Sequence, residues 1–345
     1  MIMSRFWHLL EDFFPSHPFL NVPMAINLDS QTTQIKMGSE LLFNEPTCIT
    51  WQKNTRQVLN FGQAAYHLLG KTNDQVEVVF PLAKNKVSQS DLLAVFLKSA
   101  LSKVNQKPNS HFRHADIYLG VMSGLSVSHA QAIKQIFQKI SLVASITLIP
   151  RVQAVYQSLW QQKKVGLQTG LILFSEAVAE VAVFSEGKMV VANRVALGKD
   201  RFLALVREQI RINHQLEIGN ETAAQIWQEV AAINQKKDLQ MVIRGKHILT
   251  HLPTTCQVSS QDLNAGITKA MEDLLQVIRQ TFRQVSPELM GGILEKGLTV
   301  AGGAGIRGLE SYLVEKLHCP ILITTNVQND ILNGLLLAAK TRKNA

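Results

Sequence analysis

The chain has 345 residues, of which 46% are apolar and 18% charged, and it carries a net charge of +9. That length and apolar content support two domains or one large one with a full core. No run of about 18 apolar residues occurs, so no spanning helix is expected, and the acids and aromatics near the start make a poor secretory signal. Three scattered cysteines, Cys48, Cys256 and Cys319, lack metal-ligand spacing and fit a reducing compartment. The basic residues are dispersed, with no aromatic-interleaved strip of the RNA-binding kind. On charge alone, anionic lipid, an acidic protein and nucleic acid remain open as partners.

Residues 4–14 pattern as a short helix whose broad apolar face holds Phe6, Trp7, Leu9, Leu10, Phe13 and Phe14, stopped by Pro15 and Pro18. Such a helix either lies in a bilayer interface or docks in a groove of its own protein. From Met24 the pattern turns to strands: Met24–Leu28, Thr33–Met37 and Thr47–Trp51, a β-meander. A turn and helix follow over Leu59–Gly70, then an amphipathic helix Asp91–Lys103 capped by Ser88 or Ser90, and a polar loop over residues 105–114. Strand Asp116–Val121, helix Ser128–Ile140, strand Ser145–Ile149 and helix Val152–Trp160 complete the first half.

A second meander opens the next half: Leu171–Phe174, Glu180–Ser185 and Lys188–Arg194, with a hairpin turn at Glu186–Gly187. Helices are predicted at Asp200–His214 and Thr222–Ile233, and a strand pair at Gln240–Arg244 and Lys246–Thr250 turning about Gly245. A long helix from about Ser260 to Val285 is capped by Ser259 or Ser260. Next comes GLTVAGGAGIRGLESYL, residues 297–313, a buried strand, a turn with Gly302, Gly303 and Gly305, and a helix. Such a turn either brings backbone amides to a ligand or is merely tight. Strand Ile321–Thr324 and helix Asp330–Lys340 end the chain. Each half therefore runs from a meander into alternating helices and strands, an internal duplication that indicates two α/β lobes.

Several stretches carry a family likeness: residues 43–47 (FNEPT), 58–70 (VLNFGQAAYHLLG), 123–124, 216–229 (LEIGNETAAQIWQE), 243–260, 286–289 and the glycine stretch. Over roughly residues 24–340 the chain resembles the MreB family, bacterial actin-like proteins of cell shape. The resemblance implies an actin-like two-lobed α/β fold, with duplicated mixed five-stranded sheets flanked by helices and a nucleotide-type cleft between the lobes. The expected division is an N-terminal helix and linker over 1–23, lobe I over 24–160 and lobe II over 161–340, with the C-terminal helix packing back on lobe I. Also implied are ATP and Mg²⁺, self-association into filaments, an inner-membrane location on the cytoplasmic side, and cell-shape and wall-synthesis membrane proteins as partners. Another MreB is a further candidate partner; nucleic acid is not one.

The departures from the family pattern fall on phosphate chemistry. Where the family's first hairpin reads Asp, apolar, Gly, Thr, this chain has Asn27, Leu28, Asp29 and Ser30, followed by Gln31. Where the second has an Asp, an apolar residue and three glycines, it has Leu173, Phe174, Ser175, Glu176 and Ala177. A strand that ends in acids in the family ends here in Pro150–Arg151, leaving no carboxylate to orient water. No catalytic residue is assigned and the metal ligands are unknown. On the nucleoside side Asn220, Glu221, Thr222, Gln225, Gly302, Gly303, Ala304 and Gly305 remain candidates. Phe6, Trp7, Leu10, Phe13, Phe14 and Phe112 are candidates for lipid contact, Phe112 standing near where relatives carry a membrane-inserting pair. The expectation is a membrane-associated filament protein with weak or lost ATP binding and hydrolysis. The alternatives are a non-polymerising inner-membrane adaptor of the same fold and an ordinary ATP-binding member.

Overall fold

The computed structural model describes residues 21–343, apart from 56, 84–85, 109, 236 and 303–304. Contacts divide it into two units. Unit 1 holds the described residues up to Val121, Leu125–Ala154 and those from Ile331 on; unit 2 holds Met122–Gly124 and Val155–Asp330.

In unit 1, β1 (Val22–Leu28), β2 (Thr32–Met37) and β3 (Glu40–Pro46) form the meander. The strands β4 (Ile49–Gln52), β5 (Gln57–Phe61) and β6 (Val76–Val79) make a separate small sheet, and β7 (Leu82–Ala83) pairs with β8 (Lys86–Val87). The helices are α1 (Gly62–Tyr66), α2 (Ser90–Asn105), α3 (Val127–Gln138) and the start of α4 (Arg151–Gln161). Strands β9 (Ala115–Val121) and β10 (Val143–Pro150) extend the meander sheet in parallel, in the order β10-β9-β1-β2-β3. The buried positions of α2 are Leu93, Phe96, Leu97, Ala100, Leu101 and Val104, a stripe at helical spacing that packs with Met24, Ile26, Ile35, Ile117 and Leu119. Each of the larger side chains among these contributes about 1.5–3 kcal/mol on burial.

Unit 2 repeats the plan. Its sheet is built from β11 (Thr169–Phe174), β12 (Ala179–Ser185), β13 (Lys188–Val195), β17 (Leu298–Ala301) and β18 (Ile321–Thr324), in the order β13-β12-β11-β17-β18. A three-stranded sheet of β14 (Leu216–Glu217), β15 (Gln240–His247) and β16 (Pro253–Ser259) stands beside it in sequence. The helices are α5 (Lys199–His214), α6 (Asn220–Val230), α7 (Ser260–Phe282), α8 (Pro287–Lys296), α9 (Leu309–Leu317) and α10 (Val327–Lys343), whose residues from Ile331 on belong to unit 1. The buried face of α7 runs through Leu263, Ile267, Ala270, Met271, Leu274 and Ile278 against a core with Ile172, Val181, Val183 and Val300. Both five-stranded sheets are therefore mixed, three antiparallel strands with two parallel neighbours, and both are flanked by helices, a duplicated mixed α/β arrangement of the kind the resemblance implies.

Local chemistry explains several elements. Glu186 and Gly187 both have positive φ, 50° and 77°, as a two-residue hairpin turn requires. At the start of α7 the Ser259 and Asp262 side chains form a reciprocal capping box.

Four expectations need correction. The third strand of the first meander is Glu40–Pro46; Thr47–Trp51 contributes instead to β4 of the small sheet. The N-cap of α2 is Gln89, without a side-chain cap bond, in place of Ser88 or Ser90. No turn occurs at Gly245, which lies inside β15, and the hairpin closes over residues 248–252. The glycine is needed because a Cβ there would stand 3.0 Å from the Glu217 carbonyl oxygen of β14. Phe112 is 7% exposed and packs in the unit 1 core, its N–H donating to Asn105 Oδ1 at 2.7 Å, so it is not a lipid contact.

Candidate functional site

The C-terminal ends of β1, β9 and β10 lie side by side because the three strands are parallel neighbours. Three chain segments thereby converge: the turn after β1, Gly120 near the end of β9, and Arg151 at the start of α4. Asp29, 5% exposed, sits in that turn with its N–H donating to the Thr32 carbonyl at 3.1 Å. Asp29 Oδ1 accepts the Ser30 N–H at 2.8 Å, and Oδ2 accepts from Arg151 Nη1 at 2.5 Å. Arg151 is 2% exposed. Gly120 leaves it room, since a Cβ there would come within 3.0 Å of Arg151 Cγ. Asn27 Nδ2 donates to Gln34 Oε1 at 3.4 Å. Among the described residues, Asn27 Oδ1 and Arg151 Nε are buried without a hydrogen-bond partner. The Gln31 carbonyl accepts the Thr47 N–H at 2.9 Å, tying the turn to the strand that follows the meander.

These residues do not fit a magnesium-bound phosphate. The one acid of the turn is already paired with a guanidinium. A divalent cation about 5 Å from that guanidinium would meet a repulsion of about 7 kcal/mol at an effective dielectric constant of about 20. No group of three or more His, Cys, Asp or Glu able to hold a metal occurs among the described residues.

The second hairpin, in unit 2, is closed on itself. The Ser175 N–H and Oγ–H both donate to the Val178 carbonyl at 2.9 Å. The carbonyls of Ser175 and Glu176 accept the N–H groups of Lys199 and Asp200 at 3.3 and 3.0 Å, satisfying donors that the first turn of α5 leaves open. Contact is so close at Gly198 that a Cβ would fall 2.4 Å from the Glu176 oxygen. Ser175, Glu176 and Ala177 therefore serve as a packing turn for a helix start.

Of the residues expected near a nucleoside, in the same unit, Asn220, Glu221 and Gln225 are exposed and Thr222 half-buried along α6. The glycine turn reaches this helix. Gly305, at φ 66°, lies so that a Cβ would be 3.6 Å from the Trp227 indole nitrogen. The Arg307 N–H donates to the Ala231 carbonyl at 3.2 Å, and the Ile233 N–H to the Arg307 carbonyl at 2.8 Å. So the fold brings Gly305 and the residues after it to α6, while Gly302 packs against the Phe174 carbonyl and Val327. Gly303 and Ala304 lie outside the described residues, as do the N-terminal helix and its Phe6, Trp7, Leu10, Phe13 and Phe14.

Two buried polar contacts were not legible in the sequence. One is the Asp29–Arg151 pair, 122 positions apart, whose signal was a matched charge swap: an acid where a glycine is usual, an arginine where an acid is usual. The other is Glu180, fully buried in β12, whose Oε1 accepts both the N–H and the Oγ–H of Ser123 at 2.5 Å, while Arg194 Nη1 donates to the Ser123 carbonyl at 2.8 Å.

The profile of the MreB/Mbl protein family matches residues 21–345. The cell shape-determining protein Mbl of Bacillus subtilis (strain 168) is 23% identical over 315 residues, covering 90% of this chain and 93% of that protein. The cell shape-determining protein MreB of Escherichia coli (strain K12) is 22% identical over 321 residues, covering 90% and 91%. Among solved structures, MreB 5 of Spiroplasma citri bound to AMPPNP has a TM-score of 0.85 at 21% identity, covering 95% of this chain and 98% of that one. A MamK double helical filament gives 0.76 at 16% identity, covering 93% and 99%. At that identity the structural likeness shows the fold, two mixed sheets flanked by helices; the profile, which runs from residue 21 to the last residue, shows the family, and the chain belongs to the MreB/Mbl family of actin-like, cell shape-determining proteins.

Proposed function

We propose that the protein is a membrane-associated, actin-type filament subunit in bacterial cell-shape determination, with ATP binding weakened or lost and no efficient hydrolysis. The observation that carries the reading is a family match over the whole described chain combined with a phosphate turn whose acid is already ion-paired to Arg151. Self-association is supported by the filament-forming MamK neighbour and by apolar side chains left in water on the β15–β16 hairpin: Val242, Leu249 and Leu252 are 70%, 74% and 63% exposed. Nucleotide contact is supported by the AMPPNP-bound and ADP-bound neighbours and by the retained glycine turn beside α6. Against hydrolysis stands Arg151, at the strand end where a water-orienting acid is expected.

Membrane association rests on residues 4–14 and on the distribution of charge. Residues 21–121, 125–154 and 331–345 carry 16 of the 35 basic side chains but only 7 of the 26 acids, so the positive excess belongs to the unit that the amphipathic stretch precedes. Such an excess adds electrostatic attraction to anionic lipid, falling off within about 10 Å in ordinary salt. No helix among the described residues is long and apolar enough to cross a membrane.

The test is electron microscopy of the full chain on anionic lipid layers, with and without residues 1–14, beside titration with labelled ATP. Filaments that form without nucleotide and leave the lipid on truncation are expected. Micromolar ATP binding with phosphate release overturns the weakened-nucleotide part. Failure to form filaments, alone or with a standard MreB, overturns the filament part in favour of the adaptor.

A further inference from the structure

The Asp29–Arg151 pair is built as a permanent fixture. Its arginine opens a helix, is almost wholly buried, and packs closely against the neighbouring strand at Gly120, where a Cβ would stand 3.0 Å from Arg151 Cγ. Its aspartate has both carboxylate oxygens in use, one on the turn's own backbone and one on the guanidinium. The pair links the β1–β2 turn to the start of α4 across 122 residues of chain. A bound divalent cation would do the same work in such a place, neutralising a turn acid and tying it to its surroundings.

We propose that Arg151 acts as an internal cation that replaces the divalent metal at this turn, so that unit 1 holds its phosphate hairpin in shape without magnesium or nucleotide. The inference rests on the reading that the chain is a family member with altered phosphate handling. It goes further by assigning the metal's structural role to a named side chain. A guanidinium suits the task because it stays charged at any working pH and offers its donors in a fixed plane. It is also not exchangeable, so the turn does not respond to the metal or nucleotide around it. Assembly would then be set by protein concentration and lipid, with no cycle tied to nucleotide state.

The experiment uses the purified full chain and follows thermal unfolding with EDTA and with excess magnesium. The wild type is expected to unfold at one temperature, within about 1 °C, in EDTA and in magnesium alone, because a one-site ligand that does not bind contributes nothing. Asp29→Asn and Arg151→Met each leave a buried group without its partner and lower the midpoint by about 5–15 °C. The double variant recovers most of that loss, since neither charge then remains to be solvated. A wild-type midpoint that rises with magnesium and ceases to do so in Asp29→Asn overturns the inference, and so do single losses that simply add. If the Arg151 variant does not fold, the magnesium comparison on the wild type still decides. Absence of filaments on lipid would sink the proposed function and leave this result standing. A magnesium-dependent midpoint would sink the inference and leave the filament reading intact.

Discussion

Gly302 separates a ligand role from a packing role for the glycine turn. Its φ is 78°, in the left-handed region, and an added Cβ would stand 2.7 Å from the Phe174 carbonyl oxygen and 3.3 Å from Val327 Cγ2. The left-handed conformation costs a side chain about 1–2 kcal/mol. Phe174 ends β11, which pairs in parallel with β17 through Leu173 and Ala301, so the oxygen cannot retreat without opening that ladder. Overpacking of this kind adds about 1–3 kcal/mol. For Gly302→Ala the sum is about 2–5 kcal/mol, which lowers the unfolding midpoint of unit 2 by roughly 10 °C at about 2–4 °C per kcal/mol. Gly305→Ala is the control: φ is 66°, but the nearest foreign atom is 3.6 Å away. It bears only the conformational cost of about 1–2 kcal/mol and shifts the midpoint less than half as far. Thermal unfolding without ligand measures both. If Gly302→Ala unfolds at the wild-type temperature while labelled nucleotide no longer binds, the glycine serves the ligand and the packing argument fails.

Glu180→Ala strands the buried Ser123 N–H and hydroxyl and should cost about 2–4 kcal/mol in urea unfolding, with Glu180→Gln losing less; equal losses would deny that acceptor strength matters. Burial, with a smaller contribution from Glu45, pushes the Cys48 thiol from an ordinary 9.0 up to about 12. The unfolded chain then loses this proton first as pH rises, so the stability Cys48 contributes is complete below pH 9 and disappears between pH 9 and about 12; Cys48→Ala should flatten that part of the stability curve. Half-buried Cys256 should react with a maleimide before Cys48 or Cys319, both buried, in the native protein. Leu249→Asp combined with Leu252→Asp should abolish sedimentable filaments while leaving the unfolding midpoint within about 2 °C, because both side chains are already in water; filaments of normal length would remove the hairpin from the interface.

Periodicity and turn chemistry carried much of the fold. Apolar residues at helical spacing, Leu92, Val95, Phe96 and Leu101, made α2 legible, although the buried face turns out to run through Leu93 and Leu97 with Phe96 and Leu101 and leaves Val95 exposed; Glu186–Gly187 read as a hairpin turn, and a serine at 259 or 260 marked a helix start that the structure caps with Ser259. Gly245 misled because a glycine in a strand reads as a turn, while here it admits the backbone of β14. Phe112 misled because it stands in a polar stretch, and only the packed core shows which way one aromatic in ten loop residues turns.

At the site the same division holds. Sequence by itself determined which residues stand at the two hairpins and at the end of the strand before α4, local facts written in residue types and spacing. That the acids stand where the family has glycines, and the arginine where it has an acid, is what the resemblance to that family added. Only the tertiary structure decided that two of those changes compensate each other: Asp29 and Arg151 meet because β1, β9 and β10 run parallel as neighbours and Gly120 leaves room for the stem of the arginine side chain. Glu180 and Ser123 are likewise joined across 57 residues by strand placement. A long-range ion pair or hydrogen bond leaves no periodic trace in a single chain; it exists only once packing has put the partners within reach and removed the water between them.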